Sequence, residues 1–240
     1  QAVIFAFAVN DTGHGNSPET AMVGTALVCA AIALIFMDDV PLAPRTSRGA
    51  RARGFARAGS LFGPGLPGTT RFALALLFVM CGASVVTLRV GLRVGGAVVP
   101  WWYTHVTSFA AVATFVLCSS ALMLGGVLRT VIPSGNLVRA LTVLTLFLAS
   151  AIPMIGARII DPDVFSSRDV PTVTLVTPIG PYAALEPALR DPRDIPAFVG
   201  STALHAVFAT IIGVALTTRL RRVALAASAR TAEGYVLEAA

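Results

Sequence analysis

The stretch PAFVGSTALHAVFATIIGVALTT, Pro196 to Thr218, carries no charge and one histidine, His205, near its centre. A helix needs roughly 20 mainly apolar residues to cross a bilayer, and this run is long enough. The rest of the chain agrees. It has 240 residues, 55% of them hydrophobic and only 12% charged, where a soluble domain carries about 25% charge. Its mean hydropathy is +0.79. The expected fold class is therefore all-α, a polytopic membrane protein with about five transmembrane helices in one bundle.

Five spans meet the length criterion: residues 20–37, 71–90, 104–128, 137–159 and 196–218. They form a single membrane domain over residues 1–240. IPSGN, Ile132 to Asn136, is a tight turn and makes the third and fourth spans antiparallel neighbours. Pro153 lies within the fourth span and is expected to kink it. The opening QAVIFAFAV is too short to span a bilayer and has no basic flank, so it is not read as a signal peptide.

Charge sets the orientation. The basic inner loop 41–70 carries Arg45, Arg48, Arg51, Arg53 and Arg57 and no acid. Arg129 and Arg139 bracket the third-to-fourth turn, and Arg219, Arg221, Arg222 and Arg230 follow the fifth span. The long outer loop 160–195 is proline-rich and net acidic, with Asp161, Asp163, Asp169, Glu186, Asp191 and Asp194. The positive-inside rule then places the N-terminus and the loops after the second and fourth spans outside. The five loop arginines are candidate contacts for phospholipid headgroups, cardiolipin among them. Nucleic acid is excluded as a partner, because the arginines flank apolar runs and form no stripe on a polar domain. All 18 basic residues are arginine. A chain without lysine cannot form a retinal or pyridoxal Schiff base.

Few residues carry chemistry. There is no Walker loop, HExxH or GxSxG, and GLRVGG at Gly91 to Gly96 has no βαβ context. No catalytic residue is assigned. Asp38 and Asp39 lie at the end of the first span, and no carboxylate lies well inside any span, which argues against an ion-coupled transporter acting alone. Cys29, Cys81 and Cys118 sit singly in three spans without metal-ligand spacing and read as small membrane-embedded residues, so no metal is expected. His14 is loop-borne. His105 follows the aromatic belt PWWY, Pro100 to Tyr103, and is expected at the outer interface. His105 and His205 are the two candidate axial ligands for a haem b. Their depths differ by roughly 10 Å or more along parallel helices, which disfavours one shared haem. The alternative for His205 is a neutral packed histidine, hydrogen-bonded to a neighbouring helix. Thr114, Ser119 and Ser120 are the candidate hydroxyls, with Thr114 closest in depth.

STALHAVFATIIGVALTTRLRR, Ser201 to Arg222, resembles the sixth helix of cytochrome c oxidase subunit III. Thr202 and His205 fall on the threonine and first histidine of that family's Thr-Gly-Phe-His-Gly-x-His pattern. Phe208 replaces the second histidine, and Ala203 and Ala206 replace the glycines. ATFVLCSSALMLGG, Ala113 to Gly126, resembles the family's fourth helix through Thr114, Ser119 and Ser120. The family's Ser-Glu pair is absent, with Gly82 near the glutamate position, and no seventh span follows Arg222.

The resemblance implies a non-catalytic accessory subunit of a respiratory electron-transport complex. Such a subunit binds no cofactor directly, packs beside other membrane subunits and holds lipids between helices. It implies a bacterial plasma membrane or the mitochondrial inner membrane. Two alternatives stand beside it: a haem b or quinone-binding anchor of an oxidoreductase, and a small transporter or lipid-handling protein. The segment Asp161 to Asp194 is expected to lie ordered against a partner subunit, because loops of this length are usually functional.

Overall fold

A computed structural model describes residues 29–31, 33, 66–94, 100–161 and 171–238. Most of the first span, the loop arginines Arg45 to Arg57, His14, Asp38, Asp39 and residues 162–170 lie outside the described residues. Among the described residues the chain is helical and contains no strand. The elements are α1 (Leu66–Val94), α2 (Trp101–Arg129), α3 (Gly135–Ile160), α4 (Thr172–Leu175), α5 (Gly180–Arg190), a 3₁₀ turn (Pro192–Asp194) and α6 (Ile195–Glu238). Four of them are long and apolar enough to cross a membrane: α1, α2, α3 and the first part of α6, over Thr70–Val90, Trp101–Arg129, Gly135–Ile160 and Pro192–Val223. The expected second to fifth spans are therefore present. The first, apart from helical residues 29–31 and 33, is outside the described residues.

The central helix is α2. Its buried positions, Val106, Thr107, Ala110, Ala113, Thr114, Cys118, Ser119, Leu122 and Gly126 among them, recur every three or four residues. That spacing keeps one continuous stripe on one side of a helix. On α6 the corresponding stripe is Phe198, Ser201, Thr202, His205, Ala209 and Leu216. The two stripes meet in parallel. A Cβ at Gly126 would come within 3.0 Å of the Leu216 side chain, and one at Gly213 within 2.9 Å of the Met123 sulfur. Glycine at both places lets the backbones approach closely.

The α2–α3 turn is closed by side chains. Arg129 donates from Nη1 to the Ile132 carbonyl at 3.0 Å and also to that of Pro133. Ser134 caps α3 by accepting from the Leu137 amide. This turn matches the antiparallel pairing expected from IPSGN. Helix α3 runs unbroken through Pro153, which removes the amide that would bond to the Ala149 carbonyl. Only Gly135, Val138, Thr142 and Ser150 of α3 are buried. Phe147, Ile152, Ile155 and Ile159 lie exposed.

Two differences from the sequence reading concern the ends of the fifth span and the segment before it. Helix α6 begins at Ile195 and continues to Glu238, well past the expected end at Thr218. The expected outer loop is helical over much of its described length. Helices α4 and α5 form a hairpin lying against α2, α3 and α6 of the same chain. Three of its prolines suit this, while Pro187 stands inside α5. Pro171 precedes α4, Pro181 stands in the first turn of α5, and Pro192 opens the 3₁₀ turn, all positions whose amides need no helical partner.

Candidate functional site

The hairpin creates a polar seam at the Trp101 end of the bundle. Its frame is apolar: Val106, Ala110 and Ala113 of α2 meet Ala184, Leu185, Ala188 and Leu189 of α5 and Phe198 of α6. The small residues of α2 and α5 let the hairpin sit close. The backbone at the tip, Val176 to Gly180, is irregular and must find hydrogen-bond partners within the protein, since lipid offers none. The Gly180 amide donates to the Thr177 carbonyl at 2.8 Å, and the Thr177 amide to the Thr174 carbonyl at 3.1 Å. Thr177 Oγ1 donates to the same Thr174 carbonyl at 2.7 Å. Gly180 allows no substitution here, because a Cβ would lie 2.3 Å from the Leu175 carbonyl oxygen.

Two hydrogen bonds fasten the hairpin to the spans. Ser201 Oγ of α6 donates to the Leu175 carbonyl at 2.6 Å. Thr114 Oγ1 of α2 lies 2.5 Å from the Tyr182 hydroxyl. Thr114 already donates to the Ala110 carbonyl at 2.9 Å, so Tyr182 is the donor in the pair. Burial pushes the Tyr182 phenol well above its usual range, and the Thr114 hydrogen bond opposes that shift. Two buried hydroxyls on the α2 and hairpin sides, Ser119 Oγ and Thr174 Oγ1, have no hydrogen-bond partner among the described residues.

His205 is buried in this seam, 6% exposed. Its Nδ1 lies 2.7 Å from the Ser201 carbonyl, one turn back on its own helix. The carbonyl can only accept, so Nδ1 is the donor. Its ring meets Phe208 edge-on, with centroids 6.2 Å apart. The expected bond from His205 to a hydroxyl on a neighbouring helix is thus replaced by one within α6. Thr114, the favoured candidate, is taken by Tyr182. Ser120 donates to the Val116 carbonyl of its own helix at 2.7 Å. Thr114, Ser119 and His205 do lie in the buried stripes of the two packed helices.

His105 is exposed and stacks edge-on against Trp101, centroids 5.7 Å apart, as the belt motif implies. The register of α2 on α6 sets His205 level with about residue 115 of α2, some 15 Å from the level of His105 at 1.5 Å per residue. The two histidines are not brought together.

A second cluster, which the sequence reading did not assemble, lies one turn further along α2, toward its Arg129 end. Cys29, Cys81 and Cys118, from three separate spans, pack in one buried apolar core with Leu77, Leu122 and Val138. The thiols of Cys29 and Cys81 are in hydrogen-bonding contact. Each cysteine looked isolated in sequence because the signal lies in the packing of three helices, not in any local spacing. Among the described residues no group of three or more histidine, cysteine or carboxylate side chains is arranged to hold a metal ion.

No family model, curated protein or solved structure matches this chain. What is established is a helical membrane protein whose described core is the α1–α2–α3–α6 bundle with the α4–α5 hairpin seated on it.

Proposed function

We propose that the chain is a non-catalytic subunit of a larger membrane assembly, and that this assembly is a respiratory complex of a bacterial plasma membrane or the mitochondrial inner membrane. The observation that carries the first part is the face of α3. This 26-residue helix buries only Gly135, Val138, Thr142 and Ser150. Val143, Leu144, Phe147, Leu148, Ile152 and Ile155 are left for lipid or for another subunit. The respiratory part rests on the resemblance to cytochrome c oxidase subunit III at Thr114, Ser119, Thr202 and His205. These four residues lie in the packed stripes of α2 and α6.

The test is extraction from native membranes in mild detergent, followed by native mass spectrometry. The expected result is the 24.8 kDa chain held with other integral membrane subunits, including a haem- or copper-bearing one. Recovery of the chain with lipid alone would overturn the reading.

A small-solute or lipid-handling role is the second reading. It is favoured by Ser119 Oγ and Thr174 Oγ1, buried hydroxyls without hydrogen-bond partners among the described residues. Solute flux in vesicles holding the chain alone would select it. The haem b alternative gains nothing from the register of His105 and His205. A b-type absorbance band that disappears in His205→Leu would restore it.

A further inference from the structure

The arginines of the four spans mark two planes. On α1, Arg71 and Arg89 are 18 residues apart, and on α3, Arg139 and Arg158 are 19 apart. At 1.5 Å per residue these separations are about 27 and 28 Å, close to the ~30 Å hydrocarbon thickness of a bilayer. Arg129 and Arg219 fall in the plane of Arg71 and Arg139, by the register of α2 on α6. In the other plane Arg89 Nη2 donates to Ser108 Oγ of α2 at 3.0 Å. Arg89 thus stands where lipid phosphates lie.

Among the described residues no carboxylate pairs with Arg89. Arg89 is exposed on the surface of the bundle, and Arg93, one turn further along the same face, is exposed too. No acidic residue occurs anywhere between Asp39 and Asp161. Ser108 gives its own proton to the Thr104 carbonyl at 2.8 Å, so toward Arg89 it acts only as an acceptor. A guanidinium has five N–H donors in a planar fork. Among the described residues, one of those donors is engaged. Trp101 and His105 continue the Ser108 flank of α2 outward, a rim suited to the glycerol and headgroup region.

We propose that the α1–α2 groove at the Trp101 end binds the phosphate of an anionic membrane phospholipid. Arg89 is its bidentate anchor, Arg93 is a second cation, and Ser108 holds Arg89 in place. Two cations facing one phosphodiester, with no carboxylate paired to either among the described residues, select a headgroup of net negative charge over a zwitterionic one. This site is separate from the candidate contacts at Arg45 to Arg57, which lie on another loop.

The test uses the full chain in nanodiscs of equal phosphatidylglycerol and phosphatidylcholine. The protein is transferred to detergent, and retained lipid is counted by native mass spectrometry. The wild type should keep phosphatidylglycerol selectively. Arg89→Gln and Arg93→Gln should each lower that selectivity about fivefold, the worth of one basic residue at an anionic surface. Arg139→Gln, in the opposite plane, should leave it unchanged. Unaltered selectivity in both Arg89→Gln and Arg93→Gln would overturn the proposal. Displacement of the lipid by millimolar inorganic phosphate would also overturn it, by making the groove a site for the free anion.

Discussion

The two halves of α2 solve the same packing problem in different ways. Toward α5 and α6 it presents Thr107 and Thr114, and the neighbours answer with Ser201, Thr202, His205 and Tyr182. Toward α1 and α3 it presents Cys118 and Leu122, and the neighbours answer with Cys29, Leu77, Cys81 and Val138. The difference follows from the backbone each half must cover. α1 and α3 are continuous helices that satisfy their own amides and carbonyls, apart from the Ala149 carbonyl opposite Pro153. The α4–α5 hairpin has a turn that does not, and Ser201 of α6 supplies a donor to its Leu175 carbonyl.

The sharpest way to break that contrast is at the hairpin tip. Gly180→Ala forces a methyl onto the Leu175 carbonyl, and overpacking of this kind costs about 1–3 kcal/mol or more. Gly82→Ala on α1 meets nothing within 4 Å and should be silent. Thermal unfolding in detergent should show a large fall for the first and none for the second. Equal effects would mean that the tip is not the constrained element.

Ser201→Ala probes the same half through one bond. It leaves the Leu175 carbonyl without its side-chain donor, and an orphaned buried polar group costs about 1–3 kcal/mol. Ser150→Ala removes a bond from Ser150 to its own helix, to the Leu146 carbonyl, and should cost far less.

Tyr182 gives the contrast a pH signature. Its folded phenol holds its proton past the usual value of about 10, at which the unfolded phenol titrates. The folded state then binds more protons than the unfolded state above about pH 10, so stability is full below that pH and falls as pH rises through it. Tyr182→Phe should flatten this alkaline slope. It should cost little otherwise, because intramembrane hydrogen bonds average about 0.6 kcal/mol.

The thiol half should show the most specific chemical response. Mild oxidation should link Cys29 to Cys81, leaving Cys118 as the one thiol open to alkylation after unfolding. Cys118→Ala should not alter the linkage. A link to Cys118 in place of Cys29 would redraw the packing of this half.

The spans were legible because lipid imposes a plain rule. A window such as Leu137 to Ile159 has to be apolar for about 20 residues, and arginines at its ends have to reach water. The belt position of His105 was legible for the same reason. The hairpin was not. Pro171, Pro178, Pro181, Pro187 and Pro192 read as loop punctuation, although Pro181 and Pro192 occupy first-turn positions where proline suits a helix. The hairpin also holds the group that occupies the Thr114 hydroxyl. That group, Tyr182, lay in a segment read as an outer loop. The thiol core was invisible for a different reason: Cys29, Cys81 and Cys118 are 52 and 37 residues apart, and only the packing of three helices brings them together.

The paired arginine planes have a consequence for where in a cell this protein is comfortable. The distances from Arg71 to Arg89 and from Arg139 to Arg158 are set by helix rise and cannot stretch. At about 27–28 Å they match a thin bilayer better than a sterol-rich one of about 32–33 Å. Upright helices of this length leave the thicker membrane pinched around them, and tilting would only worsen the mismatch. The protein would then thin its surroundings or gather short-chain lipids at its perimeter. Bilayer thickness itself would then help to sort it among membranes.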